Sequence, residues 1–344
     1  MRISFSRLSI ILGCLSLLAA TGVHAGTVAY EVDKSIHITG DGWLPVLQNA
    51  SSPQFSGDGK KLAFIRDDSL FVLDKNQQQS SLIKKFCDRI NDLPYDDFRT
   101  TISWHPSGKY ILVSKPERFI EAGKGDLRHT IKSTGRGRSY IMYAVWLVDV
   151  ASGNGKLILH PRHVDRGISE QIESAGRSIH NATFILNGSK ILYAVDNDLK
   201  IANFPANTAM RDGIPPSRRV ASFGSGIVYS NKTWEVSATT GIIDMAWSEK
   251  HHCLYVYTER FFGTGLARYQ YIESSGGKWG KPQDYVDFGD EVLDAAPNIR
   301  SCSIDEKGNL LVRHFDDGKN DWIWSSTKSG ASLPPNADNP VFAY

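Results

Sequence analysis

Apolar positions along this chain come in short bursts, each introduced by a polar turn, and not at the spacing of a long helix. Phe55-Ser56-Gly57-Asp58-Gly59-Lys60-Lys61-Leu62-Ala63-Phe64 sets the pattern: an aromatic residue, a glycine-bearing turn, then an apolar run. Trp104-His105-Pro106-Ser107-Gly108-Lys109-Tyr110-Ile111-Leu112-Val113 repeats it, and weaker copies run over 184–193 and 305–312. Aligned on the residue before each turn, the units stand at Phe55, Trp104, Phe184, Trp247 and Cys302. Each has one strand before the turn, a second after it (62–65, 110–113, 191–195, 253–257, 310–313) and a third beyond another loop (70–73, 145–148, 199–202, 266–271, 322–324). The runs are short, β-branched and aromatic, and bounded by Gly, Asp, Asn and Lys. Leu112-Val113 and Leu310-Leu311-Val312 are apolar at consecutive positions, as in sheets covered on both faces. Such a unit cannot bury its own faces and must stack on copies of itself.

Small four-stranded antiparallel sheets packed face to face around an axis meet that demand, so the expected fold is all-β, a β-propeller. The phrase at 55–64 followed by Leu70-Phe71-Val72-Leu73-Asp74 resembles the WD-repeat-like unit of TolB-type propellers. Trp104-His105-Pro106-Ser107-Gly108-Lys109 with Trp146-Leu147-Val148-Asp149 is similar to it. The third unit replaces the turn by Asn187-Gly188-Ser189, and the fourth, Ser248-Glu249-Lys250-His251, lacks the glycine. Five units are visible. A sixth blade follows if the N-terminal strands 28–32 and 35–38 pair with C-terminal ones including 341–344, which ties the ends together without an open edge. Six blades are expected, with five or seven as the alternatives.

Residues 1–25 stand apart. Arg2 and Arg7 precede an apolar run from Leu8 to Ala20, and Val23-His24-Ala25 offers small residues at cleavage spacing, the pattern of a secretory signal peptide. The run is shorter than the roughly 20 residues that span a bilayer. Cleavage near Ala25 leaves one domain, 26–344, in the periplasm or outside the cell. It also removes two arginines and no acids, taking the formal charge from +2 to zero, so neither nucleic acid nor an anionic membrane is an expected partner. Cys87, Cys253 and Cys302 remain, none in a Cys-x-x-Cys pair. Cys253 and Cys302 fall in expected strands, where a cysteine is a small core residue.

Two places invite chemistry. The longest insertion, 115–138, lies between the second and third strands of its unit. It carries Lys115, Arg118, Lys124, Arg128, Lys132, Arg136 and Arg138 against Glu117, Glu121 and Asp126. It reads as a basic arm for an acidic partner surface, or as a charged solvated loop. The family resemblance implies that the strand before each turn lies nearest the axis. That would bring Arg99, His180, Asp244 and Arg300 toward the channel mouth, a set suited to a carboxylate or phosphate, though such residues also bridge neighbouring blades. Gly-x-Ser-x-Gly, His-Glu-x-x-His and the phosphate-cradling glycine loop are absent from the sequence. His251-His252 are adjacent, so a strand points them to opposite sides. His160 and His163 lack a third ligand at metal spacing, and 316–321 reads as a hairpin turn, not a calcium loop. No metal or cofactor is expected. The leading expectation is an exported, non-catalytic propeller presenting loops to another protein. The alternative is a lyase or hydrolase, or a binding protein, for an anionic small molecule or saccharide at the channel mouth.

Overall fold

The computed structural model describes residues 27–86, 100–120, 140–159, 179–195, 198–204, 217–222, 228–230, 233–235, 239–260, 263–272, 278–279, 283–287, 302–304, 310–316, 321–326, 333–334 and 336–343. Strands β1 (Val28–Val32), β2 (Ser35–Thr39) and β3 (Val46–Gln48) form an antiparallel meander. A second sheet holds β4 (Ser51–Phe55), β5 (Lys61–Arg66), β6 (Ser69–Asp74) and β7 (Gln79–Lys85). The third holds β8 (Thr101–Trp104), β9 (Tyr110–Ile120), β10 (Tyr140–Asp149) and β11 (Gly155–Leu159). The fourth holds β12 (Ile179–Ile185), β13 (Lys190–Val195), β14 (Asp198–Asn203) and β15 (Ser217–Ser222). A hairpin of β16 (Val228–Ser230) and β17 (Thr233–Glu235) follows. In the fifth sheet β18 (Thr239–Ser248), β19 (Cys253–Arg260) and β20 (Gly263–Ile272) run in order, with β21 (Lys278–Trp279) and β22 (Gln283–Asp287) both on β20. The sixth has β23 (Cys302–Ile304), β24 (Leu310–Asp316) and β25 (Asp321–Ser326). The last strand, β26 (Asp338–Phe342), pairs with β1, so the first sheet joins both ends of the described chain. The fold is all-β, built of antiparallel sheets.

The consecutive apolar runs explain the packing. Leu62 and Phe64 face the first sheet, in a cluster with Ile36, Leu47 and Phe55, whereas Ala63 between them faces the third with Ile102, Trp104 and Ile111. Leu112 turns toward the fourth sheet, with Phe184 and Tyr193, while its neighbours Ile111 and Val113 face the second. Leu192, Ala194 and Ile201 meet Leu254 and Val256 of the fifth. Each of these clusters spans two neighbouring sheets, and burial of one Leu or Phe side chain in such a place contributes about 1.5–3 kcal/mol.

The first strands also touch one another: β4 meets β26 and β8, β8 meets β12, β12 meets β18, β18 meets β23, and β23 meets β26. Registers give the sheets two unlike ends. Ser51 lies opposite Ile65, Thr101 opposite Ser114, Ile179 opposite Val195 and Cys302 opposite Val312, so the link between second and third strands leaves from the end where the first strand begins. Links 87–99, 121–139, 160–178, 223–238 and 288–301 attach at that end, whereas 327–337 leaves β25 at the turn end and reaches the start of β26 at this one. The opposite end carries the turns that define the repeat.

Those turns are tight for a local reason. Ser56 Oγ donates to Asp58 Oδ1 at 2.7 Å, the Lys60 amide donates to the same oxygen at 3.1 Å, and the Lys61 amide donates to Ser56 Oγ at 3.0 Å. In the next unit His105 and Ser107 take those places: the Ser107 amide donates to His105 Nδ1 at 3.1 Å, and that nitrogen and Ser107 Oγ are 2.8 Å apart. Gly59 and Gly108 follow at φ 65° and 69°, the left-handed region glycine enters without a Cβ penalty.

Three details differ from the sequence reading. β9 continues to Ile120 and β10 starts at Tyr140, so 115–120, expected in the loop, is strand paired with β10. β26 begins at Asp338, three residues before the expected strand. The β16–β17 hairpin was not anticipated. Cys253 is a buried core thiol, as expected, whose Sγ donates to the His251 carbonyl at 3.1 Å. Cys87 lies outside the described residues, and Cys302 opens β23. Among the described residues no helix is long and apolar enough to cross a membrane.

Candidate functional site: the cavity between the first strands

The first strands of all six sheets line one cavity of about 590 Å³: β4, β8, β12, β18, β23 and β26 each contribute. A short phrase places its walls. Ser52-Pro53-Gln54-Phe55, Thr101-Ile102-Ser103-Trp104, Asn181-Ala182-Thr183-Phe184 and Asn339-Pro340-Val341-Phe342 all line it. Each ends on an aromatic residue exposed by 7% or less and starts three positions earlier on a hydroxyl or amide residue.

Three of these starting residues are left-handed, Ser52 at φ 56°, Asn181 at 52° and Asn339 at 46°. Each coincides with a shift in strand register, between Ser51 and Gln54, His180 and Thr183, and Ala29 and Glu31. A bulge of this kind bends the strand and re-aims its side chains. Proline after Ser52 and Asn339 suits it, since the ladder is already broken there. Such backbone costs of order 1–3 kcal/mol unless its surroundings hold it. At two of the three, the holder is Glu31. Its Oε1 accepts the Ser52 amide at 2.8 Å and Asn339 Nδ2 at 2.9 Å.

Neighbouring first strands are also cross-bonded. Trp104 Nε1 donates to the Gln54 carbonyl at 3.0 Å, Ser103 Oγ and Thr183 Oγ1 are 3.1 Å apart, and the Phe184 amide donates to Ser103 Oγ at 3.0 Å. At the turn end the Asn187 amide donates to Glu249 Oε1 at 2.9 Å. His105 packs there against Phe184, Phe204 and Tyr110, with ring centres 4.9, 5.4 and 6.0 Å away. Burial holds its imidazole below the usual range, against the opposing pull of a hydrogen bond to the Gly188 backbone. Asp58 is held low chiefly by the Ser56 hydroxyl, and Asp149 by the Ser152 amide.

Chemically, the described wall mixes hydroxyl and amide groups with aromatic and aliphatic ones such as Ile102, Met245 and Val341, and Glu249 and Lys250 are its charged residues at the turn end. Such a wall can hydrogen-bond a neutral polar group. Among the described residues no group of His, Cys, Asp and Glu could hold a metal ion. Thr101 Oγ1 is buried and has no hydrogen-bond partner among the described residues.

Of the expected mouth residues, His180 pairs with Ala194 in β12, one position before Asn181, and Asp244 pairs with Tyr257 in β18, one before Met245. Their strand positions adjoin the cavity wall. Arg99 and Arg300 lie outside the described residues, as do Lys124, Arg128, Lys132, Arg136 and Arg138 of the basic arm. Arg118 lies opposite Met142 in β9. Lys115, counted with that arm, is 7% exposed and packs its ammonium 5.5 Å from the centre of the Phe86 ring, because the strand carries it inward. Sequence reasoning missed Ser52, Ser103, Thr183, Asn339 and Glu31. The Ser-Pro and Asn-Pro pairs three and two positions before an aromatic residue were the available signal; Glu31 had none.

No protein-family model matches the chain, and no curated protein matches it. Among solved structures it resembles TolB from Acinetobacter baumannii at 14% identity and a TM-score of 0.51, covering 92% of this chain and 66% of that one. It also resembles a chain of a nidogen–laminin complex at 8% identity and a TM-score of 0.51, covering 92% of this chain and 98% of that one. The chain thus spans 66% of the length of that TolB structure, and at such identities the likeness is one of fold.

Proposed function

We propose that this protein is an exported six-bladed β-propeller of the TolB type that docks another protein on the face where its first strands begin. Six sheets whose first strands touch in a closed circuit, with β26 completing the sheet of β1, support the blade count and the ring. The leader pattern at 1–25 supports export to the periplasm or beyond, and cleavage before Val28 spares β1, whose Val28 and Ala29 are buried. The observation that carries recognition is the unlikeness of the two ends. One is closed by side-chain-locked turns; the other receives the long links, including 121–139 with its excess of Lys and Arg. Long loops on a rigid scaffold are where binding residues concentrate. Basic residues there favour an acidic partner surface, which makes docking sensitive to salt.

The test is co-purification from the producing cell's envelope. Wild type at low salt retains a partner that is lost at about 0.5 M salt and lost at low salt from a variant with Arg128, Lys132, Arg136 and Arg138 all changed to Ala. An unchanged set of partners in that variant removes the arm from the account.

The cavity supports a second reading, since its volume lies within the few hundred to about 1,000 Å³ of small-molecule sites. In it, a saccharide or other polar ligand enters the channel, with an anionic group held at the mouth by Arg99, His180 and Arg300 and with Asp244 beside them. A lyase or hydrolase reaction would be carried by those residues. Thermal stabilisation by acidic sugars that vanishes in His180→Ala or Arg300→Ala supports this reading, and its absence removes it.

A further inference from the structure

We infer a binding site for a small oxyanion in the joint between the second and third sheets, at Lys84, Lys115, Phe86 and Trp146. Phe86, which follows β7, is buried in the apolar cluster shared by these two sheets, and Trp146 of β10 stands edge-on to it with ring centres 5.8 Å apart. Lys84 comes to this pair from the second sheet, its Nζ 5.3 Å from the centre of Trp146 and 6.0 Å from that of Phe86. Lys115 comes from the third, its Nζ 5.5 Å from the centre of Phe86.

Both ammonium groups therefore lie within 6.0 Å of the centre of one ring. Lys115 is 7% exposed, and among the described residues no acidic side chain lies within ion-pair reach of either lysine. A ring face offsets part of the cost of a desolvated ammonium, but it carries no net charge and does nothing for the repulsion between two of them. A multiply charged anion supplies what is missing, because its oxygens accept from both ammonium groups at once. The place is also shaped for Lys84. Gly155 of β11 lies under its stem, and a Cβ there would collide with Lys84 Cδ and Cε. A side chain at 155 would push the ammonium off the rings. The site is distinct from the cavity between the first strands, none of whose walls it shares.

The probes are inorganic phosphate and, separately, succinate, each titrated against the full-length mature protein at constant ionic strength made up with sodium chloride. Melting temperature and calorimetric binding are both read. Wild type gains stability saturably with at least one of the two anions, and Lys115→Met and Lys84→Met each weaken that binding tenfold or more. Lys84→Met, at the more exposed position, keeps the test usable if Lys115→Met fails to fold. A preference for phosphate or for succinate tells an inorganic from a carboxylate ligand. Equal responses of wild type and Lys84→Met, or no saturable response of wild type to either anion, overturn the site.

Discussion

Asn339 donates its side-chain amide to Glu31 at 2.9 Å across 308 positions of sequence, and the same carboxylate oxygen accepts the Ser52 amide. One carboxylate on β1 thus fixes the left-handed residue of β26, in its own sheet, and that of β4 in the next. Glu31→Ala leaves the Ser52 amide without its acceptor and both bulges unsupported. Hydrogen bonds to a charged group contribute about 1.5–3 kcal/mol each, so the loss is expected at about 3 kcal/mol. Glu31→Gln keeps an acceptor and should lose less. Urea unfolding midpoints of the two variants check the order.

Ser103 has the corresponding place between the third and fourth sheets, where the buried Phe184 amide depends on its hydroxyl. Ser103→Ala should cost about 1–3 kcal/mol by orphaning that amide, more than Thr183→Val, which removes only the partner hydroxyl. Denaturant unfolding of both variants decides it.

Glycine 188 should be far less replaceable than glycine 108. Both are left-handed, at φ 77° and 69°, yet a Cβ at 108 meets nothing within 4 Å among the described residues, whereas one at 188 collides with the His105 ring. Gly108→Ala should cost about 1 kcal/mol and Gly188→Ala about 3 kcal/mol or more. Comparison of the two melting temperatures tests the joint between those turns.

His105 makes the same joint sensitive to acid. Its folded pKa lies below the unfolded value near 6.5, so the unfolded chain binds the proton more readily. The contribution is intact above about pH 6.5 and is lost as pH falls from there through the folded value. Wild-type stability should therefore drop between pH 7.5 and 5.5 by more than that of His105→Gln. Equal slopes for the two proteins would refute this.

Much of the fold was legible because the chemistry repeats. Ile111, Leu112 and Val113 must be apolar together only if alternate residues face different sheets, and they do. The turn after Phe55 and Trp104 is local, so its residues announce it. The last strand was legible only through its partner: pairing of 28–32 with a C-terminal strand including 341–344 was expected, while its start at Asp338, set by the bulge at Asn339, was not. The cavity wall was half legible. Strand positions beside His180 and Asp244 do reach it, while the bulges at Ser52, Asn181 and Asn339 arise from pairing between strands. Lys115 shows the limit of reading charge in sequence: one further strand pair turned an expected surface cation into a buried one.

The proposed closure of a ring through the pairing of β1 with β26 is most directly tested by amide hydrogen exchange on residues 26–344 with and without 336–344. The account predicts that removing β26 strips protection from Val28 and Ala29, which pair with Phe342 and Val341, before it affects Leu62 to Phe64 in the next sheet. Unchanged protection of Val28 and Ala29 in the shortened chain would contradict it.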